Sequence, residues 1–422
     1  MKKNILLSLP FFLLNAGAFA LEGTGVDFGK DIGNIENSLQ DGKAGNAAAP
    51  SVPRPVPAHG GSSKWWSVDL FGSAHKSIMA ASLALTDSGQ FPDISRAGNI
   101  LLTGSNDESG HPDRTHNGGR PEELWKGDTP ESLGGVIQNY RHFKFAEAYA
   151  RLGTICHLTQ DQAVPAHAAN ILHSTQEKFE AYSADGNKVK IEASRDNGEM
   201  EPYAYYQDLQ DDTRKHLASW VHPKTKVPYW TPAGNAPPLG QDATYGPRGR
   251  YGANGRDVYS ETKSNDSMSD EGGGPQVTLS PEIRVRQLGM AGAATAGALR
   301  SASKRLPPLV SGLSVTPGGK SAAVKFTIFE NRSRKVSYSV SLSRDGKAAR
   351  QVLTGEAGLL DPAAPDLMLK GEVNAALDLS ALGSGNYVVD VRVTDEDGNV
   401  TPDEVNADDI SANDTRAALV IP

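Results

Sequence analysis

Between about residue 70 and residue 305, apolar side chains recur every three or four positions, the spacing of helices with one buried face. The pattern predicts helices over 73–88, 133–161, 174–182, 203–221 and 280–304. The second is marked by Phe143, Phe145, Ala146, Tyr149, Leu152 and Ile155, and the last opens on Ser280, Pro281 and Glu282, with proline at the first helical position. After Pro307 and Pro308 the period drops to two. Alternating runs appear at Val324, Phe326 and Ile328, at Val336, Tyr338, Val340 and Leu342, and at Tyr387, Val389, Val391 and Val393, with turn formers at 317–319, 344–346 and 395–399. Short strands at this interval predict a β-sandwich of the immunoglobulin (Ig) or fibronectin III (FnIII) kind over 306–422. The chain is therefore expected to be mainly α, with a helical domain at 65–305 followed by an Ig/FnIII-like β-sandwich domain.

The ends and the composition narrow the setting. Lys2 and Lys3, an apolar run over 5–14, and Ala18, Phe19 and Ala20 read as a cleaved signal peptide over 1–20, so the protein is expected to be secreted or periplasmic. Residues 21–64, rich in Gly, Ala, Pro and Asn, read as a flexible propeptide or linker. No later run reaches the roughly 18 to 20 apolar residues that a membrane span needs. A net charge of −8 leaves no broad basic surface for collecting nucleic acid. The single cysteine, Cys156, excludes an intramolecular disulfide and a cysteine-rich zinc finger, and reads as a small core residue. The stretch 222–279 is long and rich in Gly, Pro, Asn, Asp and Ser. Two readings of it stay open. It covers or borders a site, with Trp220, Tyr229, Trp230, Tyr245 and Tyr251 as substrate contacts, or it is an adaptable surface insertion.

The densest chemistry lies at 157–180. His157 and Asp161 are four apart at the end of a predicted helix, so both project from one face and can grip one ion. Pro165 ends that helix or starts the next turn, and His167 and His173 follow from a short connection. Imidazole and carboxylate form the ligand set of zinc sites that keep a coordination position open for chemistry.

These residues resemble the zinc-dependent phospholipase C and P1 nuclease superfamily, all-helical enzymes with a three-zinc cluster. Its signature of His, three residues, Asp, five residues and His fits His157, Asp161 and His167, and His173 fits as the next ligand. The following acid is either Glu177 or Glu180. The family also uses a mature N-terminal tryptophan, through its amine and carbonyl, with a histidine one helical entry later; Trp65 and His75 have that spacing, and Trp66 is the alternative start. An Asp and a His in the loop after the first long helix correspond to Asp107 and His116, with Glu108, His111 and Asp113 as substitutes. Gly118 and Gly119 stand where the family carries an aromatic after the ligand histidine, so phosphatidylcholine specificity is not implied.

The resemblance covers roughly 65–305 and implies up to three zinc ions. His157, Asp161, His116 and Asp107 would hold one, His167, His173 and Glu177 or Glu180 a second, and Trp65, His75 and Asp161 the third. Asp107 would orient or deprotonate the attacking water. The implied activity is phosphate-ester hydrolysis, foremost a phospholipase C acting on phospholipid headgroups at a membrane surface. Two alternatives remain: a P1-like nuclease or phosphodiesterase acting on nucleic acid, and a catalytically idle zinc-binding adhesion protein. The carboxy-terminal domain is expected to bind a surface or polymer. If Trp65 is a ligand through its amine, N-terminal sequencing of the exported protein will read Trp65, Trp66, Ser67; a mature chain that begins at Leu21 removes Trp65 from the ligand set.

Overall fold

The computed structural model describes residues 74–106, 121–127, 134–171, 199–221, 281–344, 350–363, 365–402 and 414–422, with short stretches at 9–11, 19–21, 26–27, 188–189, 226, 228–232, 241–242, 246–247 and 249–251. Helices α1 (Ala74–Leu85), α2 (Pro92–Arg96), α3 (Gly98–Gly104), α4 (Pro121–Lys126), α5 (Val136–Arg141), α6 (Phe145–Asp161), α7 (Pro165–Ala168), α8 (Ala204–Leu217) and α9 (Pro281–Arg305) precede the long strands. Backbone packing divides the chain into two units, and the division does not fall at a single point in the sequence. One unit comprises 1–86, 99–122 and 152–299, the other 87–98, 123–151 and 300–422. The expected helix at 174–182 lies outside the described residues.

In the first unit α9 is the hub. From Gln287 to Leu299 it is buried on all sides, and its Gly and Ala residues let neighbours come close. A Cβ on Gly297 would sit 2.2 Å from the Tyr205 ring of α8, so that contact depends on glycine. Ser82 of α1 donates to the Gly292 carbonyl at 3.0 Å, and Gln287 donates to the carbonyl of Ala163 just beyond α6. α6 and α3 approach equally closely: a Cβ on Gly153 would lie 2.8 Å from the Leu101 carbonyl oxygen and 2.9 Å from Gly104 Cα. This unit is not all-helical. Trp230–Thr231 pairs with Arg250–Tyr251, and Gln241–Asp242 pairs with Gly246–Pro247, both antiparallel.

The second unit holds the long strands β1 (Leu309–Gly318), β2 (Ser321–Glu330), β3 (Lys335–Arg344), β4 (Arg350–Gly358), β5 (Leu369–Asp378), β6 (Gly385–Thr394), β7 (Val400–Thr401) and β8 (Arg416–Ile421). One antiparallel sheet has the order β5-β2-β1; the other runs β4-β3-β6-β7, with β8 also on β6. Alternate residues of both sheets, among them Val324, Phe326, Ile328, Val340, Val373, Val389, Val391 and Leu419, meet in one apolar core. Tyr387 donates its hydroxyl to the Gly383 carbonyl at 2.9 Å, a tyrosine corner that anchors the start of β6. Asp395 accepts from the amides of Asp397 and Asn399, so its carboxylate closes the turn after β6. These two sheets overturn the expectation of a mainly α chain with an all-helical domain. The helical periodicity was real, but it covered only part of a chain whose carboxy-terminal strands run up to ten residues each.

The single helix expected over 133–161 is two helices. α5 ends in a Schellman motif, with the Phe143 amide donating to the Tyr140 carbonyl and the Lys144 amide to the Asn139 carbonyl. Phe143 takes the left-handed position, φ 60°, that glycine normally fills. Its ring meets Phe329 at 5.3 Å and Phe145 at 6.0 Å between centroids, contacts that hold a strained backbone in place.

Among the described residues of the second unit, the carboxylates of Asp93 and Glu330 are the most deeply buried. Asp93 accepts from Tyr149 Oη, Ser303 Oγ and Asn331 Nδ2 at 2.8, 2.6 and 3.1 Å. Glu330 accepts from the amides of Arg332 and Ser333. Burial pushes its pKa up to about 8 against the pull of the Ser333 and Arg332 amides, with Asp395 and Asp93 adding to the rise. A glutamate raised from its ordinary 4.5 keeps, in the folded chain, a proton that the unfolded chain releases. Its contribution therefore falls as pH rises through that window and levels off above about 8. Glu330→Gln removes this slope. In urea unfolding, the variant is expected to gain on the wild type from pH 5 to pH 8, by at most about 1.4 kcal/mol per pH unit; a constant difference would show that Glu330 does not hold the proton.

Candidate metal centre

Gly153, His157 and Asp161 follow one another at four-residue steps along α6 and so share one stripe of the helix. Because Gly153 has no side chain, the end of α3 comes close, and the carbonyl of Ser105, the residue after that helix, lies 2.9 Å from His157 Nδ1. A carbonyl can only accept, so His157 carries a proton on Nδ1 and turns Nε2 inward. His75 arrives from α1 and stacks on His157, with ring centroids 4.0 Å apart and planes at 26°. Its Nδ1 lies 2.8 Å from Gln160 Oε1, and its Nε2 also points inward.

Both inward nitrogens face Asp161. Oδ1 lies 3.4 Å from His75 Nε2, and Oδ2 lies 3.6 Å from His157 Nε2. One ligand atom from each residue falls within 4.8 Å of the others, and all three residues are 0% exposed. These three residues can hold a metal ion. Two imidazole nitrogens and a carboxylate that converge in a dry site are donor groups that one cation can share. The two nitrogen–oxygen distances are close to the roughly 3.3 Å between ligands on a tetrahedral zinc, and each runs to a different oxygen of Asp161. Asp161 is also the last residue of a 17-residue helix, where the partial negative charge of the backbone carbonyls adds to the attraction for a cation.

The floor of this site is tied down from outside. Thr213 Oγ1 donates to the Gln162 carbonyl at 2.8 Å, and Gln210 Nε2 donates to the Gln162 side chain at 2.7 Å. With the bond from Gln287 to Ala163, α8 and α9 hold the turn that follows Asp161. Pro165 begins α7, and the Val164 amide bonds to the Asp161 carbonyl at 2.9 Å.

Of the residues expected to bind metal, the structure brings together His75, His157 and Asp161. His167 is buried on α7 but is not a member of that group. Trp65, Asp107, His116, His173, Glu177 and Glu180 lie outside the described residues. Cys156 is buried, and burial pushes its thiol well above the ordinary range, so it is a core residue and not a thiolate ligand. His216 stacks near Trp220 at 6.0 Å, away from metal-binding spacing. Gln160 and the Ser105 carbonyl were not foreseen. Gln160 could have been found, since it is three residues after His157 on the same face of a helix. A backbone acceptor such as Ser105 leaves no mark in a sequence.

The chain matches no known family profile and no curated protein. Among solved structures it is similar over part of its length to β-glucosidase 3B from Thermotoga neapolitana in complex with α-D-glucose. Identity is 17%, the TM-score is 0.19, and the match spans 27% of this chain and 15% of that one. A match of that extent carries no argument about fold or activity.

If the three residues hold an ion, zinc added at 100 times its dissociation constant will stabilise the folded protein by about 2.7 kcal/mol. In a thermal-shift measurement Asp161→Ala is expected to abolish the gain. A wild type whose melting temperature ignores zinc and other divalent ions would rule the centre out.

Proposed function

We propose that this chain is a zinc-dependent phosphoric diester hydrolase, acting foremost as a phospholipase C on phospholipid headgroups. The observation that carries the reading is the placement of Asp161, one oxygen towards His75 and the other towards His157. In the resembling superfamily a single aspartate serves two ions, and the residues matched to its two partners by spacing are these same histidines. His75 lies on a different helix, 85 residues before Gln160, so its arrival at this carboxylate is independent of the local His157 and Asp161 spacing.

The ligand set of nitrogen and carboxylate oxygen suits zinc. Zinc held by these residues would supply Lewis acidity, making a bound water more acidic and offsetting charge on phosphoryl oxygens. The protein's own residues provide orientation. His75 and His157 each offer one lone pair from Nε2, with the opposite nitrogen engaged by Gln160 and by Ser105. Asp161 offers an oxygen to each side, and its burial keeps bulk water from screening the charge. His116 and Asp107 would complete the ion on the His157 side, with Asp107 orienting the attacking water. His167, His173 and Glu177 or Glu180 would hold a further ion, and Trp65 would join His75. Export through the amino-terminal signal would place the enzyme where it meets membrane phospholipid. Among the described residues no helix is long and apolar enough to cross a membrane.

The test is metal content together with turnover of phosphatidylcholine liposomes and of single-stranded DNA. The expected result is bound zinc, diacylglycerol release that stops with chelator and returns with zinc, and a loss of more than about 100-fold in Asp161→Ala, beyond what supporting residues cost. Cleavage of DNA alone would move the assignment to the nuclease branch, and zinc binding with neither substrate consumed would leave a binding protein.

A further inference from the structure

We propose that Gln160 is a positioning residue of the metal centre: its side-chain oxygen holds the Nδ1 proton of His75, which sets both the tautomer of that ring and its rotation towards Asp161. The proposal rests on the reading of His75, His157 and Asp161 as a metal site.

One face of the last turn of α6 grips His75 at three points. His157 supplies the surface on which the ring lies flat, at 4.0 Å between centroids. Stacking alone leaves the ring free to turn in its own plane, which would carry Nε2 away from the carboxylate. Gln160 Oε1 at 2.8 Å from Nδ1 removes that freedom, and Asp161 Oδ1 meets Nε2 on the far side at 3.4 Å. Gln160 is 1% exposed. Burying an amide costs free energy unless it makes hydrogen bonds, and among the described residues only the oxygen end of this one has a partner, so the bond to His75 is what offsets the burial. The hydrogen bond it makes is to the one ligand that is not on its own helix. His157 receives the equivalent support from a backbone carbonyl, so each histidine is held through its outer nitrogen by an oxygen that accepts.

The amide has two ends, and they have opposite consequences. With the oxygen towards Nδ1, the ring keeps an inward lone pair for a cation. With the nitrogen towards Nδ1, the proton would sit on Nε2 against Asp161, and no lone pair would remain for a metal. Glutamate separates the two, because its carboxylate can only accept.

The experiment measures zinc and cobalt(II) affinity, by competition with a chromophoric chelator, for wild type, Gln160→Glu, Gln160→Leu and Gln160→Ala of the full chain. The His75 Nδ1 proton is followed by nitrogen-15 NMR in the metal-free proteins. Gln160→Leu and Gln160→Ala are expected to bind about 10–100-fold more weakly than wild type. Gln160→Glu is expected to bind at least as tightly as wild type, and the Nδ1 proton is expected to persist in Gln160→Glu and to be lost in Gln160→Leu. Leucine keeps the volume, so a purely space-filling role would leave Gln160→Leu at wild-type affinity with the Nδ1 signal unchanged, which overturns the proposal. A glutamate variant weaker than the leucine variant overturns it as well, by showing the amide nitrogen towards His75. If the wild type takes up neither metal, the site reading and this proposal fall together, whereas metal binding that is equal in all four proteins overturns this proposal alone.

Discussion

A carboxylate and two imidazole nitrogens converge out of reach of water around Asp161, and the surroundings are built to hold them together. Polar groups gathered in a dry site keep their geometry only where the scaffold stops the rings from turning away. The first unit supplies the scaffold. Gly153 brings a carbonyl within reach of His157, and α8 and α9 pin the turn after Asp161. The small residues of α9 belong to the same arrangement, because close helix approach leaves the side chains around the site little room to rearrange.

The contrast with Asp93 gives this convergence its meaning. Both aspartates are fully buried. Around Asp93, a phenol, a hydroxyl and an amide nitrogen all donate, so its charge is met by hydrogen bonds from within the second unit. The nitrogens that face Asp161 belong to rings whose outer nitrogens lie against oxygen acceptors. Asp93 is thus a hub of hydrogen bonds within its own unit, whereas Asp161 faces two imidazole nitrogens of a group that can hold an ion. Glu330 is a third solution: two backbone amides meet one oxygen, and burial raises the proton affinity.

Legibility in the sequence followed the range of the interaction. The pairing of His157 with Asp161 is a helical spacing and could be read directly, as could the alternation that became β2, β3 and β6. The break at Phe143 could not, because a C-terminal cap expects glycine and the reason for phenylalanine is an aromatic contact with Phe329, far along the chain. The strands after residue 305 could be read as well, but the weight of helical periodicity before it made the chain read as mainly α, which the two antiparallel sheets correct. His75 was a candidate only through resemblance; nothing in its own neighbourhood marks it.

The sequence by itself determined the donor chemistry, since residue types and four-residue spacing on a helix decide which side chains share a face. It also determined the two periodicities, because pattern alone separates a helix face from a pleated one. The tertiary structure decided which of the candidate ligands meet. Bringing α1 onto α6 requires glycine contacts, buried amides and backbone acceptors whose partners are remote in the chain, and such choices leave no local signal. It decided as well which nitrogen of each imidazole faces inward, because a tautomer is set by what lies behind the ring.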